Sequence, residues 1–365
     1  MASGARIMIV YTPFRKGGES PADKRRFILW AKNKGLNFKY SKNILGAVGS
    51  EIYIYPTNSD ISMEDEFNKF NGYRIVQIVD GYLSAREHFL TKWARGIAKF
   101  ISGETSYLKI NYDALLKKNI RQADLVICAS VEQAIKLREL NQRVSVIPDN
   151  HSEFYRTRTQ IDDTDEVVLI WEGMGHSLKH LSVLEDVFEE LENRGINWRL
   201  QIFTDLRYKK YANTFLNINA ISDIRKHLPN FQDRLTLIQW SEGAILNLAN
   251  KKAIGLVPIM TNDNLANMKH ECKLLLFWQV GLPTLQTPIP SYMRVSNEAG
   301  LKENLVQDRN AWVTRILELS ELQEFNRVKK LQDYYINSFH TLEIYLKKWD
   351  NAIYGTEKSI EMNEL

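Results

Sequence analysis

Short apolar runs alternate with longer amphipathic stretches along most of the chain. In the first half, runs rich in β-branched and aromatic residues predict strands at residues 6–11, 51–55, 74–79, 125–128 and 144–147. In the second half, similar runs predict strands at residues 167–171, 199–203, 235–239, 254–259 and 283–286. Apolar residues spaced three to four positions apart predict helices at residues 21–33, 83–102, 112–120, 177–193, 223–228, 242–250, 269–280, 309–320, 322–339 and 341–353. This alternation is typical of doubly wound parallel sheets, so the sequence predicts an α/β protein.

The length predicts more than one domain. A chain of 365 residues exceeds what one hydrophobic core usually organises. Residues 150–165 are polar, hold three aspartates and show no apolar period, which is typical of a linker. We therefore predict an N-terminal domain at residues 1–150, a C-terminal domain at residues 163–338, and a returning helix with a tail at residues 339–365.

The composition indicates an ordinary globular protein of a reducing compartment. Hydrophobic residues make up 44% of the chain and charged residues 25%. Cys128 and Cys272 stand far apart in apolar surroundings, which predicts buried thiols and no disulfide framework or metal cluster. The apolar run at the N-terminus is too short for a secretory signal, and no run reaches the roughly 18 apolar residues of a membrane span. The expected location is the cytoplasm, including the inner face of the membrane.

The net charge of +4 conceals a basic N-terminal segment. Residues 1–42 hold ten Lys or Arg against two acidic residues, a balance of +8, which leaves −4 for the rest of the chain. A basic patch attracts anionic partners such as lipid headgroups, phosphorylated acceptors or nucleic acid, and the alternative is a solvated helix face. Phe27, Trp30, Ala31 and Lys34 share one face of the predicted helix, which either packs on the sheet or lies as a basic–aromatic strip at a membrane surface.

The stretch from Ala253 to Pro288 carries the strongest functional signal. A strand runs into a polar loop, a helix follows, and Gly281 ends that helix before the next strand. In open α/β sheets, ligands bind beyond the carboxyl ends of the strands and beside helix N-termini. Lys269 and Lys273 are one helical turn apart and therefore share a face near the predicted helix start. Two ammonium groups beside the positive end of a helix predict an anion site, most plausibly for a phosphate ester.

This segment resembles the donor-binding segment of GT-B glycosyltransferases, in particular the retaining "group 1" family. The shared pattern is a strand ending in proline, a polar loop, Lys-x-x-x-Lys-Leu-Leu, and a helix closed by Gly-Leu-Pro. Residues 122–150 are similar to the last strand–helix–strand of that family's N-terminal domain. Residues 167–191 are similar to the first strand, Gly-rich turn and helix of its C-terminal domain. The likeness covers residues 123–354, and the order and spacing of the motifs support it more than any motif alone.

The resemblance implies two Rossmann-like domains with a cleft between them. It also implies that the C-terminal helix crosses back to the first domain, where Trp349 and Tyr354 would make the contact. The implied ligand is a nucleotide-sugar co-substrate. Lysines, backbone amides and helix dipoles would neutralise its leaving diphosphate, so that no metal or other cofactor is expected.

The turn Gly173-Met174-Gly175-His176 is the second predicted part of the donor site. Glycines there would let backbone N–H groups approach a diphosphate, with Lys179 further along the chain. The alternative is a tight turn without a ligand, followed by Ser177 as a helix N-cap. The family usually has an arginine where this chain has Met174, and His176 would replace part of that charge.

The carboxylates that the family uses are displaced in this chain. Two glutamates eight residues apart commonly flank the donor helix, one near the sugar and one on the ribose hydroxyls. Met268 and Leu276 occupy these positions here. Glu271 is the nearest carboxylate, and we predict that it takes the sugar-facing role. The base of the nucleotide remains open.

The first half supplies two further candidates. Lys16-Gly17-Gly18 follows the first strand and resembles the loop that meets the donor diphosphate from the acceptor side; a plain flexible turn is the alternative. Asp80 follows the strand at residues 74–79 and would orient or deprotonate an acceptor hydroxyl, unless it only caps a turn.

The reaction predicted from these features is transfer of a sugar from a nucleotide-sugar to a hydroxyl of a glycan or lipid-linked acceptor. The resemblance implies retention at the anomeric carbon and a place in cell-surface polysaccharide or glycolipid synthesis. The basic N-terminal segment fits peripheral contact with an anionic membrane, and no nucleic-acid partner is expected. Three alternatives remain open: a GT-B-shaped binding or scaffold protein without catalysis, a sugar-nucleotide epimerase on the same fold, and a basic nucleic-acid binder.

Overall fold

The chain forms two compact units. The structure is a computed structural model that describes residues 7–14, 16–78, 96–109, 111–154, 165–210, 216–249, 251–261 and 268–355. The first unit comprises Met1–Asn150 with Leu342–Leu365, and the second comprises His151–Thr341. Among the described residues, no helix combines the length and the apolar character that crossing a membrane requires.

The first unit is built on a six-stranded parallel sheet in the order β2-β1-β3-β4-β5-β6. Its strands are β1 Ile9–Tyr11, β2 Phe38–Tyr40, β3 Ile52–Pro56, β4 Tyr73–Gln77, β5 Leu125–Cys128 and β6 Val144–Val146. Its α-helices in the N-terminal part are α1 Pro21–Lys24, α2 Phe27–Asn33, α3 Glu64–Lys69, α4 Tyr112–Gln122 and α5 Val131–Leu137. Short 3-10 helices lie at Lys16–Gly18 and Ile44–Ala47.

Successive residues of the central strands enter two separate cores, one on each face of this sheet. Tyr53 and Tyr55 of β3 pack on one face, whereas Ile52 and Ile54 pack on the other. This is the two-residue period of a strand that is covered on both sides. The thiol of Cys128 is buried in one of these cores, as the sequence predicts.

The C-terminal helix Leu342–Ile353 packs on the first unit, as predicted. The ring of Trp349 stacks on that of Trp30 with centroids 5.6 Å apart, and Tyr354 lies 6.0 Å from Trp30. The indole N–H of Trp30 donates to Asp350 Oδ1 at 2.9 Å. The aromatic face of α2 is therefore internal. The idea that this face forms a strip at a membrane surface is wrong, because Trp30 is fully covered.

The helix predicted at residues 21–33 is broken into α1 and α2. Arg25 and Arg26 lie at the break, and both side chains are largely buried. The guanidinium of Arg26 forms an ion pair with Asp149, which follows β6. Two of the basic residues counted in the N-terminal segment are thus used inside the fold.

The second unit is a five-stranded parallel sheet in the order β11-β8-β7-β12-β13, with a separate antiparallel hairpin of β9 and β10. The strands are β7 Val167–Glu172, β8 Trp198–Thr204, β9 Arg207–Lys210, β10 Leu216–Asn219, β11 Leu235–Gln239, β12 Ala253–Val257 and β13 Thr284–Gln286. The α-helices are α6 Glu185–Asn193, α7 Ala220–His227, α8 Glu242–Leu246, α9 Cys272–Val280, α10 Pro290–Glu298, α11 Arg309–Ser320 and α12 Leu322–Phe339. Further 3-10 helices lie at Ser152–Phe154, Gly175–Leu184, Pro229–Arg234 and Lys302–Asn304.

The helix predicted at residues 177–193 begins differently. Residues Gly175–Leu184 form a 3-10 helix, and the α-helix starts only at Glu185. Leu178, Leu181 and Leu184 are all buried at a spacing of three, which matches the three residues per turn of a 3-10 helix. Ser177 is not an N-cap, because its backbone N–H already donates to Met174 O within this segment.

Candidate functional site

The candidate site lies where the strand order of the second sheet reverses. β7 is flanked by β8 on one side and by β12 on the other, so successive connections leave in opposite directions at its carboxyl end. Ligands of open α/β sheets bind at this kind of switch point. The chain beyond β7 carries the predicted glycine turn, and the chain beyond β12 leads to the two predicted lysines.

Lys273 is anchored to the end of β7. Every other residue of α9 is buried, whereas the Lys273 side chain is 32% exposed. Its Nζ donates to the backbone carbonyl of Glu172 at 2.5 Å, and the Glu172 carboxylate is 3.9 Å away. The ammonium also lies 4.9 Å from the ring of Trp171. Burial lowers the pKa of Lys273, and the charge of Glu172 acts in the opposite direction.

Gly173 and Gly175 make room for these contacts. A methyl group on Gly173 would lie 2.5 Å from Lys273 Nζ and 2.7 Å from the Trp171 ring. A methyl group on Gly175 would overlap the ring of Tyr208. The N–H of Gly173 donates to a carbonyl of β8 at 3.1 Å, so it is not one of the bare amides expected for a diphosphate. Glycine is needed at these two positions because neighbouring side chains approach the backbone too closely for a Cβ atom.

Lys269 belongs to a different element from the one predicted. It precedes α9, whose N-cap is Glu271, so Lys269 and Lys273 do not share a helical face. The carbonyl of Lys269 accepts a hydrogen bond from Ser291 Oγ at 2.6 Å. Its Nζ lies 2.9 Å from Nε2 of His180, and Nδ1 of His180 accepts the N–H of Met260 at 3.2 Å. Lys269 therefore reaches the loop beyond β12 through a buried imidazole.

Glu271 forms a buried ion pair. Its Oε1 accepts a hydrogen bond from Arg294 of α10 at 2.6 Å, and its side chain is 4% exposed. Its predicted role beside the sugar stays a prediction. Met268 and Leu276, which replace the glutamates of the resembling family, are both buried apolar side chains.

The remaining candidates of the glycine turn are on the surface. Met174, His176 and Lys179 are exposed. Their side chains could contact a ligand that is bound at the end of β7. Their assignment to diphosphate binding also stays a prediction.

In the first unit, the glycine loop is held by a buried carboxylate. Asp23 Oδ1 accepts hydrogen bonds from Tyr11 OH at 2.6 Å and from Phe14 N at 2.7 Å. Its other oxygen accepts from Ser20 Oγ at 2.5 Å. These bonds fix the chain on both sides of Lys16–Gly18.

Both glycines of this loop have positive φ, 83° at Gly17 and 72° at Gly18, as a glycine-dependent turn requires. A methyl group on Gly18 would come within 2.8 Å of Tyr40 OH. The loop is thus a packed turn beyond β1. Asp80 lies outside the described residues.

The sequence reasoning missed His180 and Asp23. His180 is 89 residues from Lys269 along the chain, so no local pattern connects them. Asp23 lies in an apparent helix start, where an acidic residue is unremarkable. In this part of the chain the structure brings together Lys273, Gly173 and Glu172 at β7, and Lys269 with His180 beyond β12. Positive charge at the carboxyl end of a parallel sheet suits an anionic ligand.

Comparison with known proteins supports the fold class. No protein-family model matches the sequence, and no curated protein sequence matches it. Solved structures do match. An α-glucosyltransferase in complex with UDP and a 13-mer DNA has a TM-score of 0.56 at 12% identity, over 94% of this chain and 98% of that chain.

Two larger enzymes show the same likeness. TarM of S. aureus, in complex with fondaparinux, α-GlcNAc-glycerol and UDP, has a TM-score of 0.56 at 11% identity over 82% of this chain. The pneumococcal O-GlcNAc transferase GtfA, in complex with UDP and GlcNAc, has a TM-score of 0.54 at 14% identity over 86% of this chain. The matches cover only 55% of TarM and 58% of GtfA. At these identities the likeness defines the fold, which is that of GT-B glycosyltransferases with two Rossmann-like units.

Proposed function

We propose that the protein is a glycosyltransferase that moves a sugar from a nucleotide-sugar to a hydroxyl of a glycan or lipid-linked acceptor. The observation that carries the proposal is Lys273. It is the only partly exposed residue of α9, and it meets the end of β7 where the sheet order reverses. A leaving nucleoside diphosphate is the anion that such a position serves on this fold.

The chemistry asked of these residues is charge stabilisation. As the glycosidic bond to the donor breaks, negative charge grows on the diphosphate oxygen. Lys273 and Lys269 supply positive charge from the α9 side of the switch point, so we propose that transfer does not depend on a divalent metal. A preorganised donor of this kind is worth about 3–4 kcal/mol in the transition state. Activity that persists in a strong chelator would support this assignment.

We propose UDP as the nucleotide of the donor. Several similar structures were solved with UDP, including the α-glucosyltransferase, TarM and GtfA. Retention at the anomeric carbon follows from the resemblance of the lysine segment. Asp80 would then orient the acceptor hydroxyl. Synthesis of a cell-surface polysaccharide or glycolipid is the proposed setting.

The decisive experiment compares UDP binding by calorimetry in the wild-type protein, Lys273→Met and Lys330→Met. Methionine keeps the length of the lysine stem and removes the charge. Lys330 is an exposed residue of α12 and serves as the matched control. We expect Lys273→Met to weaken UDP binding at least tenfold, about 1.4 kcal/mol, while Lys330→Met binds like the wild type. Equal affinity in all three proteins would contradict the proposed site.

A binding protein without catalysis is the second candidate. It is favoured by the buried apolar residues at Met268 and Leu276, which offer no hydrogen bond to ribose or sugar hydroxyls. Hydrolysis of UDP-sugars separates the two functions, because glycosyltransferases generally hydrolyse their donors slowly when no acceptor is present. UDP-sugar binding without any hydrolysis or transfer would favour the binding protein.

A further inference from the structure

Two of the contacts that His180 makes place opposite demands on its ring. The side chain is 3% exposed and lies on the 3-10 helix after β7. Nδ1 accepts the backbone N–H of Met260 at 3.2 Å, and Nε2 lies 2.9 Å from Nζ of Lys269.

These contacts determine where the imidazole proton lies. A backbone N–H can only donate, so Nδ1 must present its lone pair to Met260. The proton of the neutral imidazole is then on Nε2 and points at Lys269. An ammonium group has three donors and no acceptor. The contact between Nε2 and Nζ is therefore a hydrogen bond only when Lys269 is a neutral amine.

The other proton arrangement breaks a buried hydrogen bond. If Lys269 is an ammonium that donates to Nε2, the imidazole proton must move to Nδ1, where it faces the N–H of Met260. A charged Lys269 consequently either loses the Met260 bond or leaves His180. Each of these losses costs a buried hydrogen bond. The neutral amine is therefore favoured while Nζ of Lys269 stays within hydrogen-bond distance of Nε2.

We propose that His180 is a positioning residue that holds Lys269 as a neutral amine in the empty protein and releases it as an ammonium when a nucleoside diphosphate binds. The inference rests on the proposed function, because the released charge is directed at the donor diphosphate. The step takes one proton from solvent onto Nζ of Lys269. His180 keeps its proton on Nε2 and its bond to Met260, and no bond between heavy atoms changes.

Other charged groups act on the same contact. The titratable and charged side chains on the elements that hold it are Glu172, Lys273, His176, Lys179, His270, Glu271 and Arg294. The cations among them disfavour an ammonium at Lys269, whereas the carboxylates of Glu172 and Glu271 favour it. A test must therefore change His180 alone and leave these groups in place.

Competitive acetylation provides that test, since only the neutral amine reacts. Acetic anhydride labelling is followed lysine by lysine with peptide mass spectrometry across a pH series. We expect the labelling midpoint of Lys269 in the wild-type protein to lie at least about three pH units below that of Lys330, because only such a shift leaves the amine neutral near pH 7. The midpoint, unlike the rate, does not depend on how accessible the side chain is.

His180→Gln is the informative variant. The amide oxygen of Gln accepts a hydrogen bond from an ammonium, so the Lys269 midpoint should rise to within about half a pH unit of Lys330. His340→Gln, at the end of α12, is the matched control and should leave the midpoint unchanged. Thermal unfolding checks that both variants are folded.

UDP then tests the release. Calorimetry near pH 8.5, about two units above the terminal-phosphate pKa, in two buffers of different ionisation enthalpy should show net proton uptake by the wild-type protein and less than half of that uptake by His180→Gln. A wild-type Lys269 that titrates like Lys330 overturns the inference even if UDP binds. A lowered midpoint in a protein that does not bind UDP overturns both the release step and the proposed donor site.

Discussion

Gly173→Ala is the sharpest test of how the site is built. The new methyl group would lie 2.5 Å from Lys273 Nζ, 2.7 Å from Trp171 Cη2 and 2.8 Å from Trp171 Cζ2. The lysine end is flexible and can move, but the Trp171 ring is 2% exposed and packed. We therefore expect an overpacking cost of about 1–3 kcal/mol in unfolding free energy.

The functional loss has a separate cause. Lys273 must leave the carbonyl of Glu172 to avoid the methyl group, so its charge no longer lies at the end of β7. We expect UDP binding to weaken at least tenfold, about 1.4 kcal/mol. Urea unfolding and UDP calorimetry on the same preparations measure the two effects independently.

Gly243→Ala is the matched control. Gly243 lies in α8, has no heavy atom within 4 Å of the added methyl group, and does not have positive φ. Alanine should stabilise that helix by about 0.5–1 kcal/mol and leave UDP binding unchanged. If Gly173→Ala binds UDP as tightly as the wild type does, the close approach of Gly173 to Lys273 has no part in holding the diphosphate.

Three further predictions concern the framework. Gly175→Ala should destabilise the protein because of its overlap with the Tyr208 ring, and adding Tyr208→Ala should cost less than the sum of the single changes in urea unfolding. Trp349→Ala should cost about 3–5 kcal/mol through loss of a fully buried ring, whereas Tyr334→Ala, at a residue 72% exposed, should cost little. Hydrogen bonds from Arg327 and Arg315 hold the pKa of Glu324 down at about 2, from an ordinary 4.5. The contribution of this group to the unfolding free energy is complete above about pH 4.5 and is lost as the pH falls towards 2. Glu324→Gln should therefore lose less unfolding free energy on acidification than the wild type does, and Glu189→Gln, at an exposed residue, is the control.

Buried strands such as β5 were predictable because their residues are apolar on both faces. β5 has the predicted bounds because Leu125–Cys128 is an unbroken apolar run, and β11 also has them although it lies at the sheet edge and is partly exposed. β2 was missed because Phe38–Tyr40 is three residues long and half exposed at the edge of the sheet. The hairpin of β9 and β10 was missed because its residues are largely polar, and its strands pair only with each other.

The placement of the two lysines was predictable, whereas their contacts were not. The order of strand, loop and lysines indicates the carboxyl end of β12, and the structure places Lys269 and Lys273 there. Their partners come from elsewhere in the chain: Glu172 lies 101 residues from Lys273, and His180 lies 89 residues from Lys269. Only the fold brings such pairs together. The helix start was misplaced by three residues because nothing local ends the loop before Glu271.

Under the proposed function, the two lysines would supply the charge that an arginine carries in the resembling family. Met174 stands at that position, carries no charge and is 57% exposed. The cations come instead from the opposite side of the switch point, Lys273 from the helix and Lys269 from the segment before it. Apart from Lys273, α9 consists of buried residues, including Leu276, so under the proposed function the nucleoside would be recognised by residues outside that helix. Exchanging Met174 for arginine should therefore tighten UDP binding, because it adds a charge near the end of β7 without disturbing the packing of α9.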